Sequence, residues 1–296
     1  MTCLAFCLCT GFTRKPFRTF RSDALASDIP KAISGISALP GRSAADMLSR
    51  MLSGSLIYII AVFALAGAVK GIIGLGLPTI SMGLLAVILS PVEAAAILIL
   101  PSFITNVWQM LAGPRLFDVC ARLWPMMVAV CLGTWAGLGL MSGATAQIST
   151  ALLGAALAVY AVSGLASITF SAPRHLEWIL GPLVGVVTGL ITAATGVFVI
   201  PAVPYLQAIG LEKEELVQAL GLSFTVSTVA LAVNVVAEGG VRVSMAGTTA
   251  AALVVACAGM WVGQAIRMHM STAAFRRWFF VGLLALGVYL VARSVG

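Results

Sequence analysis

K-G-I-I-G-L-G-L-P-T-I-S-M (residues 70–82) is answered in the second half of the chain by T-G-L-I-T-A-A-T-G-V-F-V-I-P (residues 188–201). Each stretch interrupts a hydrophobic segment of membrane-spanning length with glycine and small residues and closes on a proline, Pro78 or Pro201. Beyond each proline a second echo follows, P-S-F-I-T-N at 101–106 and L-S-F-T-V-S at 222–227. Duplicated halves with glycine-interrupted segments in matching positions point to a secondary transporter and to the place of its substrate site.

Composition supports the same class. The chain is 60% hydrophobic and 9% charged, whereas about a quarter of a soluble domain is charged. Hydrophobic runs of about 20 residues, each long enough to cross a ~30 Å hydrocarbon core, recur from residue 52 onward. They are continuous rather than alternating, which argues for helices and against a barrel. The net charge of +7 is uneven. Residues 1–50 hold seven Lys/Arg against three aspartates, hence +4, and residues 51–296 hold ten against seven, hence +3. With no basic face on a folded domain, nucleic acid is not an expected partner. The expected partners are the lipid bilayer and a small-molecule anion, and a homo-oligomer is left open.

The chain reads as all-α, about eight transmembrane helices in two repeated four-helix halves with interrupted first helices. The segments are 54–74, a short 77–89, 93–112, 122–141, 147–170, 178–196, a short 197–209, 215–237, 244–266 and 275–294. Three regions follow: a disordered extension over 1–50, a first repeat over 51–170 and a second over 171–296. The extension is rich in Ser, Arg and Ala, holds Cys3, Cys7 and Cys9, and reads as a tail or as sequence upstream of a true start at Met47 or Met51. Cys120, Cys131 and Cys257 read as small hydrophobes. No Cys/His cluster has metal-ligand spacing, so no metal or other cofactor is expected.

If the N-terminus is cytoplasmic and each interrupted segment crosses once, loops 113–121 and 171–177 fall inside, with 142–146 and 212–215 outside. The last loop, with Arg267, Arg276 and Arg277, conflicts with that count under the positive-inside rule. Full crossing by the short segments would change the parity.

The glycine-rich motif closed by proline, repeated across two four-span halves with almost no hydrophilic sequence, resembles the sulfite exporter TauE/SafE family over residues 52–296. The family's tighter run of three glycines is replaced here by Gly71, Gly74 and Gly76 in the first half, and by Gly189 and Gly196 in the second. The resemblance implies export or import of sulfite, sulfonates and related organosulfur anions.

The residues suit such a cargo. A helix broken inside the membrane presents free N–H groups and the positive end of its dipole to an anion. Glycine permits close backbone approach, and Pro78 explains the break because it donates no hydrogen bond. Gly71, Gly74, Gly76 and Pro78, with Gly189, Thr192, Thr195 and Gly196, are therefore read as substrate-binding. Isolated Gly133, Gly137 and Gly139 are read as close helix packing. Lys70 is the one basic residue inside a long apolar run; it is either the anion's counter-charge or a side chain snorkelling to the interface. Ser102, Thr105, Asn106 and Gln109 share a helix face, and Ser223, Thr225, Ser227, Thr228 and Asn234 are the polar group of the second half. These stripes either line a pore or join helices. Glu93 and Glu215 read as helix-capping carboxylates rather than proton couplers. His175 and His269 lie in loops without catalytic partners, and no nucleotide-binding or hydrolase motif occurs. No catalytic residue is expected, and an enzyme has little support.

The preferred function is a secondary transporter of a small anion (sulfite, sulfonate or a related organosulfur or carboxylate anion), exporting it across a bacterial inner membrane. Its drive is expected from protons or from the anion's own gradient. The alternative is a non-transporting membrane scaffold or assembly subunit. Helix breaks that face each other across a polar cavity would favour transport, and unbroken close-packed helices would favour the scaffold. For transport, residues 71–78 and 189–201 are expected to meet near a pseudo-two-fold axis and to form one central site, lopsided because Thr188 stands where the first half has Lys70.

Overall fold

The computed structural model describes residues 44–142, 145–166, 171–269 and 272–295, and the expected extension up to residue 43 lies outside them. Residues 54–296 form one compact unit. The order is α1 (Ala44–Ile73), a short α2 (Leu77–Leu85), α3 (Pro91–Leu111), α4 (Leu116–Ala136) and α5 (Ala146–Leu165). Then come α6 (Glu177–Thr195), a short α7 (Ala202–Ala208), α8 (Lys213–Ala237), α9 (Ala246–Arg267) and α10 (Thr272–Val295). Among the described residues there is no strand, and 8 helices are long and apolar enough to cross a membrane. The protein is a polytopic helical membrane protein. A long helix, a short one and three spans occur in that order twice. Several boundaries differ from the sequence reading: α4 ends at Ala136 rather than 141, and α7 starts at Ala202 rather than 197. Helix α1 is already helical at Ala44, and α4 starts at Leu116 rather than 122, because Asp118 and Arg122 sit in its first two turns, near the membrane end.

Glycine, rather than proline, makes the first break. Gly74 and Gly76 have φ of 83° and 110°, left-handed values that cost other residues about 1–2 kcal/mol. Pro78 lies in the first turn of α2, where a missing N–H removes no helical bond. In the second half Gly196, with φ 70°, ends α6, and Pro201 precedes α7. Two helix starts carry capping boxes. Ser90 and Glu93 form a capping box on α3, and Glu212 and Glu215 another on α8.

Both short helices turn back along the long helices before them. The Tyr58 hydroxyl, near the start of the α1 span, donates to the Leu84 carbonyl at the end of α2, at 2.9 Å. At the second break, the Tyr205 hydroxyl on α7 donates to the Glu177 carbonyl at the start of α6, at 3.4 Å. This return decides which connections share a membrane end. Residues 112–115, 171–176, 209–212 and 268–269 lie together, as the Arg115–Glu215 ion pair at 2.8 Å and the Ala172 N to Ala208 O bond at 2.9 Å attest. The opposite end holds 86–90, 137–142 and 238–245, tied by Gly139 N to Glu238 Oε1 at 2.8 Å and by Arg293 to the Val87 carbonyl at 2.7 Å. Helix α1 and helix α6 therefore run in opposite directions across the membrane.

The halves interleave rather than stand side by side. Helix α3 packs on α8, α4 on α6, α5 on α10, and α9 on α3. Helix α1 meets α9 where Gly67 and Gly71 face the Ala256 and Met260 carbonyls, and Gly259 and Gly263 face those of Ala64 and Ala68. Helix α4 meets α6 in the same way: Gly133 faces the Val186 carbonyl, and Gly185 and Gly189 face those of Met126 and Val130. Small residues four apart let two backbones touch, which is how helices associate where no hydrophobic effect drives them together. The packing role of Gly133 is therefore visible directly.

Candidate functional site

A cavity of about 870 Å³ lies where the first break meets the basic end. Its floor is Lys70, in the last turn of α1, with Gly71, Gly74 and Leu75 of the break and Thr105 and Gln109 of α3 beside it. The other walls come from α5, α7, α8, α9 and α10. Among the described residues Lys70, Lys213, Arg267 and Arg276 line the cavity, and no Asp or Glu does.

Lys70 is only 4% exposed, so its ammonium does not reach the interface. Its Nζ donates to Thr105 Oγ1 at 3.0 Å and, at closer range, to Asn106 Oδ1. Both partners are neutral, and no carboxylate among the described residues pairs with it. The C-terminal end of α1 supplies a partial negative charge nearby. The supports are themselves braced: Thr105 donates to the Pro101 carbonyl at 2.8 Å, and the Asn106 amide donates to Ser102 Oγ at 3.0 Å and to Thr228 Oγ1 at 3.4 Å. Thr228 lies on α8, so the cation's scaffold spans both halves. An ammonium has three donors, and two are occupied by protein.

Of the residues read from the sequence as substrate-binding, Lys70, Gly71, Gly74, Thr105 and Gln109 line this cavity. Asn106 and Ser102 stand behind Lys70 as its support, and Gly76 and Pro78 shape the entry to α2. Gly71 also presses on α9, so it packs as well as lines. The second-half group does not line this cavity. Gly189 packs against Val130, Thr192 and Thr195 each donate at 2.7 Å to a carbonyl of their own helix, and Thr225 does the same to Gly221. Gly196 faces Met82 of α2, so the second break touches the first hairpin without opening beside it. The hydroxyls of Thr188, Ser223 and Ser227 are buried and have no hydrogen-bond partner.

Several lining residues were not singled out from the sequence, among them Tyr160, Lys213, Gln264, Phe279 and Phe280. Arg267 and Arg276 stood out only as the loop that conflicted with the orientation count. With both short helices returning, the last loop lies at the same end as Arg115 and Arg174, and α1 starts at the opposite end, so these loops are cytoplasmic only if the start of α1 is not. Glu93 and Glu215 are capping residues lying outside the cavity lining, and Glu215 also holds Arg115.

A family model described as "Sulfite exporter TauE/SafE" matches residues 59–290. No curated protein and no solved structure gives a match.

Proposed function

Since the chain belongs to the sulfite exporter TauE/SafE family, whose members are membrane transporters and not enzymes, we propose that it is a secondary transporter that carries a small organosulfur or carboxylate anion out of the cytoplasm through the cavity above Lys70. The observation that carries this reading is the lining: among the described residues, four cations, no acid, and a buried ammonium without an ion-pair partner at the floor. A charge in hydrocarbon costs about 3 kcal/mol or more unless something offsets it, and an anion arriving from the open end would do so.

The side on which the cavity opens supports the export reading. Of the nine Lys/Arg other than Lys70 in residues 54–296, seven lie at the cavity's end: Arg115, Arg122, Arg174, Lys213, Arg267, Arg276 and Arg277. Arg242 and Arg293 lie at the other. The positive-inside rule makes the first end cytoplasmic, so the anion loads from the cytoplasm, and the membrane to which this applies is taken to be a bacterial inner membrane. An interior-negative potential then favours exit by about 2.3 kcal/mol per charge per 100 mV, without a coupling ion.

Proteoliposomes carrying the protein should take up labelled sulfite or sulfonate faster than empty vesicles, and an imposed potential should change the rate. Uptake equal to that of empty vesicles, with the protein folded and inserted, would end the transport reading in favour of the scaffold.

A further inference from the structure

The last two spans follow one another in the chain, yet among the described residues they do not pack on each other. Helix α9 packs on α3 and, at Gly67 and Gly71, on α1, whereas α10 packs on α5 and α2. Only four residues separate Arg267 from Thr272, and each spans at most ~3.6 Å. The two basic ends therefore lie close together, and the helices part as they enter the membrane. Between them lies the first break: Gly71 is against the Met260 carbonyl of α9, and a Cβ at Gly76 would meet the Phe279 ring of α10 at 3.6 Å. The result is a slot that faces the bilayer. Its two walls are the barest spans of the molecule, 11% of α9 and 22% of α10 being buried against 72% of α8.

The slot changes character along its length. At the basic end Arg267, Arg276 and Arg277 are exposed, and among the described residues no carboxylate pairs with them. Arg115 and Arg122, at the same membrane end, each hold a glutamate, at 2.8 Å and 2.6 Å. One exposed tryptophan then stands on each wall, Trp261 on α9 and Trp278 on α10, the residue type that settles at headgroup level. Val262 and Val281 add exposed apolar surface.

We infer that this slot holds one anionic phospholipid of the cytoplasmic leaflet, its phosphate among Arg267, Arg276 and Arg277 and an acyl chain between α9 and α10. Guanidinium groups match a phosphate with paired N–H donors, and basic pockets between helices at a cytoplasmic face suit such headgroups. A choline headgroup fits worse, because it brings its own cation beside three others. The lipid supplies the wall missing between α9 and α10, so that the cavity opens toward water and is closed toward the bilayer. The leaflet is taken from the orientation argued above; nothing here depends on the cargo.

Native mass spectrometry of the delipidated full chain in detergent tests this, with phosphatidylglycerol and phosphatidylcholine of identical acyl chains and with inorganic phosphate. One phosphatidylglycerol should bind at least about tenfold more tightly than phosphatidylcholine, the worth of one charged hydrogen bond. Inorganic phosphate should not compete at the same concentration. The double change Arg267→Gln and Arg277→Gln should abolish the preference, while Arg174→Gln, exposed at the same end on another loop, should leave it intact. Equal binding of the two lipids by the folded wild-type chain would overturn the inference, with or without the variants. An equal loss in Arg174→Gln would overturn it too, by making the preference a property of the whole basic face. A dimer that excludes phosphatidylglycerol would give the slot to a second copy instead. None of these outcomes bears on transport, which the vesicle assay reads separately.

Discussion

Lys70 is where sequence and chemistry meet most directly, because a single ammonium sits in an otherwise apolar run and its protein partners are two neutral oxygens. Hydrogen bonds to charged groups contribute about 1.5–3 kcal/mol, so Lys70→Ala should weaken anion binding by roughly ten- to a hundredfold at 1.4 kcal/mol per tenfold. Thr188→Ala, at the matching position of the second half, should change it less than about twofold. Titration at low and high salt checks both, and the Lys70 effect should shrink at high salt because the cavity is open to water. Equal small effects would leave Lys70 a structural residue. Its importance was legible because charge in hydrocarbon is costly. Its partner Asn106 was legible from the three-to-four spacing of the stripe on α3. The reach of that network to Thr228 was not, since nothing in a one-dimensional pattern says that α3 and α8 cross at those residues.

At the level of the helices, the two kinds of glycine separate. Gly74 has open space where a Cβ would go but a left-handed φ, whereas Gly71 and Gly189 press on the backbones of α9 and α4. Gly74→Ala should therefore destabilise by about 1–2 kcal/mol through φ alone, read as a lowered melting temperature, while Gly54→Ala, in open space with no unusual φ, should not. Gly71→Ala and Gly189→Ala should each cost about 1–3 kcal/mol as the helices are forced apart. A loss of transport in Gly71→Ala with its melting temperature unchanged would mean that Gly71 acts only at the cavity. The sequence located both breaks correctly but credited Pro78, whose place in the first turn of α2 is harmless. Breaking a helix takes a residue that ends it, and positive φ leaves no compositional mark beyond glycine itself. The close α1–α9 contact was similarly unreadable, because the small residues that permit it look the same as those that line a pore.

Across the whole molecule, the order of one long, one short and three spanning helices in each half could be read from hydropathy, but the membrane end of each loop could not. That assignment turns on α2 and α7 running back along α1 and α6, and a nine- or seven-residue helix carries no sign of its direction. In a cysteine-depleted background, His175→Cys should react with an impermeant thiol reagent only from the cytoplasm, and Val243→Cys, 94% exposed, only from outside. The reverse pattern would turn the cavity's mouth outward and make the protein an importer. The opposed directions of α1 and α6 have a further consequence. If the halves exchange arrangements, the hairpin of α6 and α7 opens toward the exterior, and its floor is Thr188, beside hydroxyls such as Ser223 and Ser227 that now lack partners. The machine would then have a sticky intake and a slippery outlet, so that cargo gripped by charge on one side is let go by neutral hydroxyls on the other. Thr188→Lys should make the outlet sticky too: external benzenesulfonate would gain at least tenfold in affinity, and counterflow would slow as release becomes the bottleneck. An unchanged external affinity would mean that the second hairpin never opens.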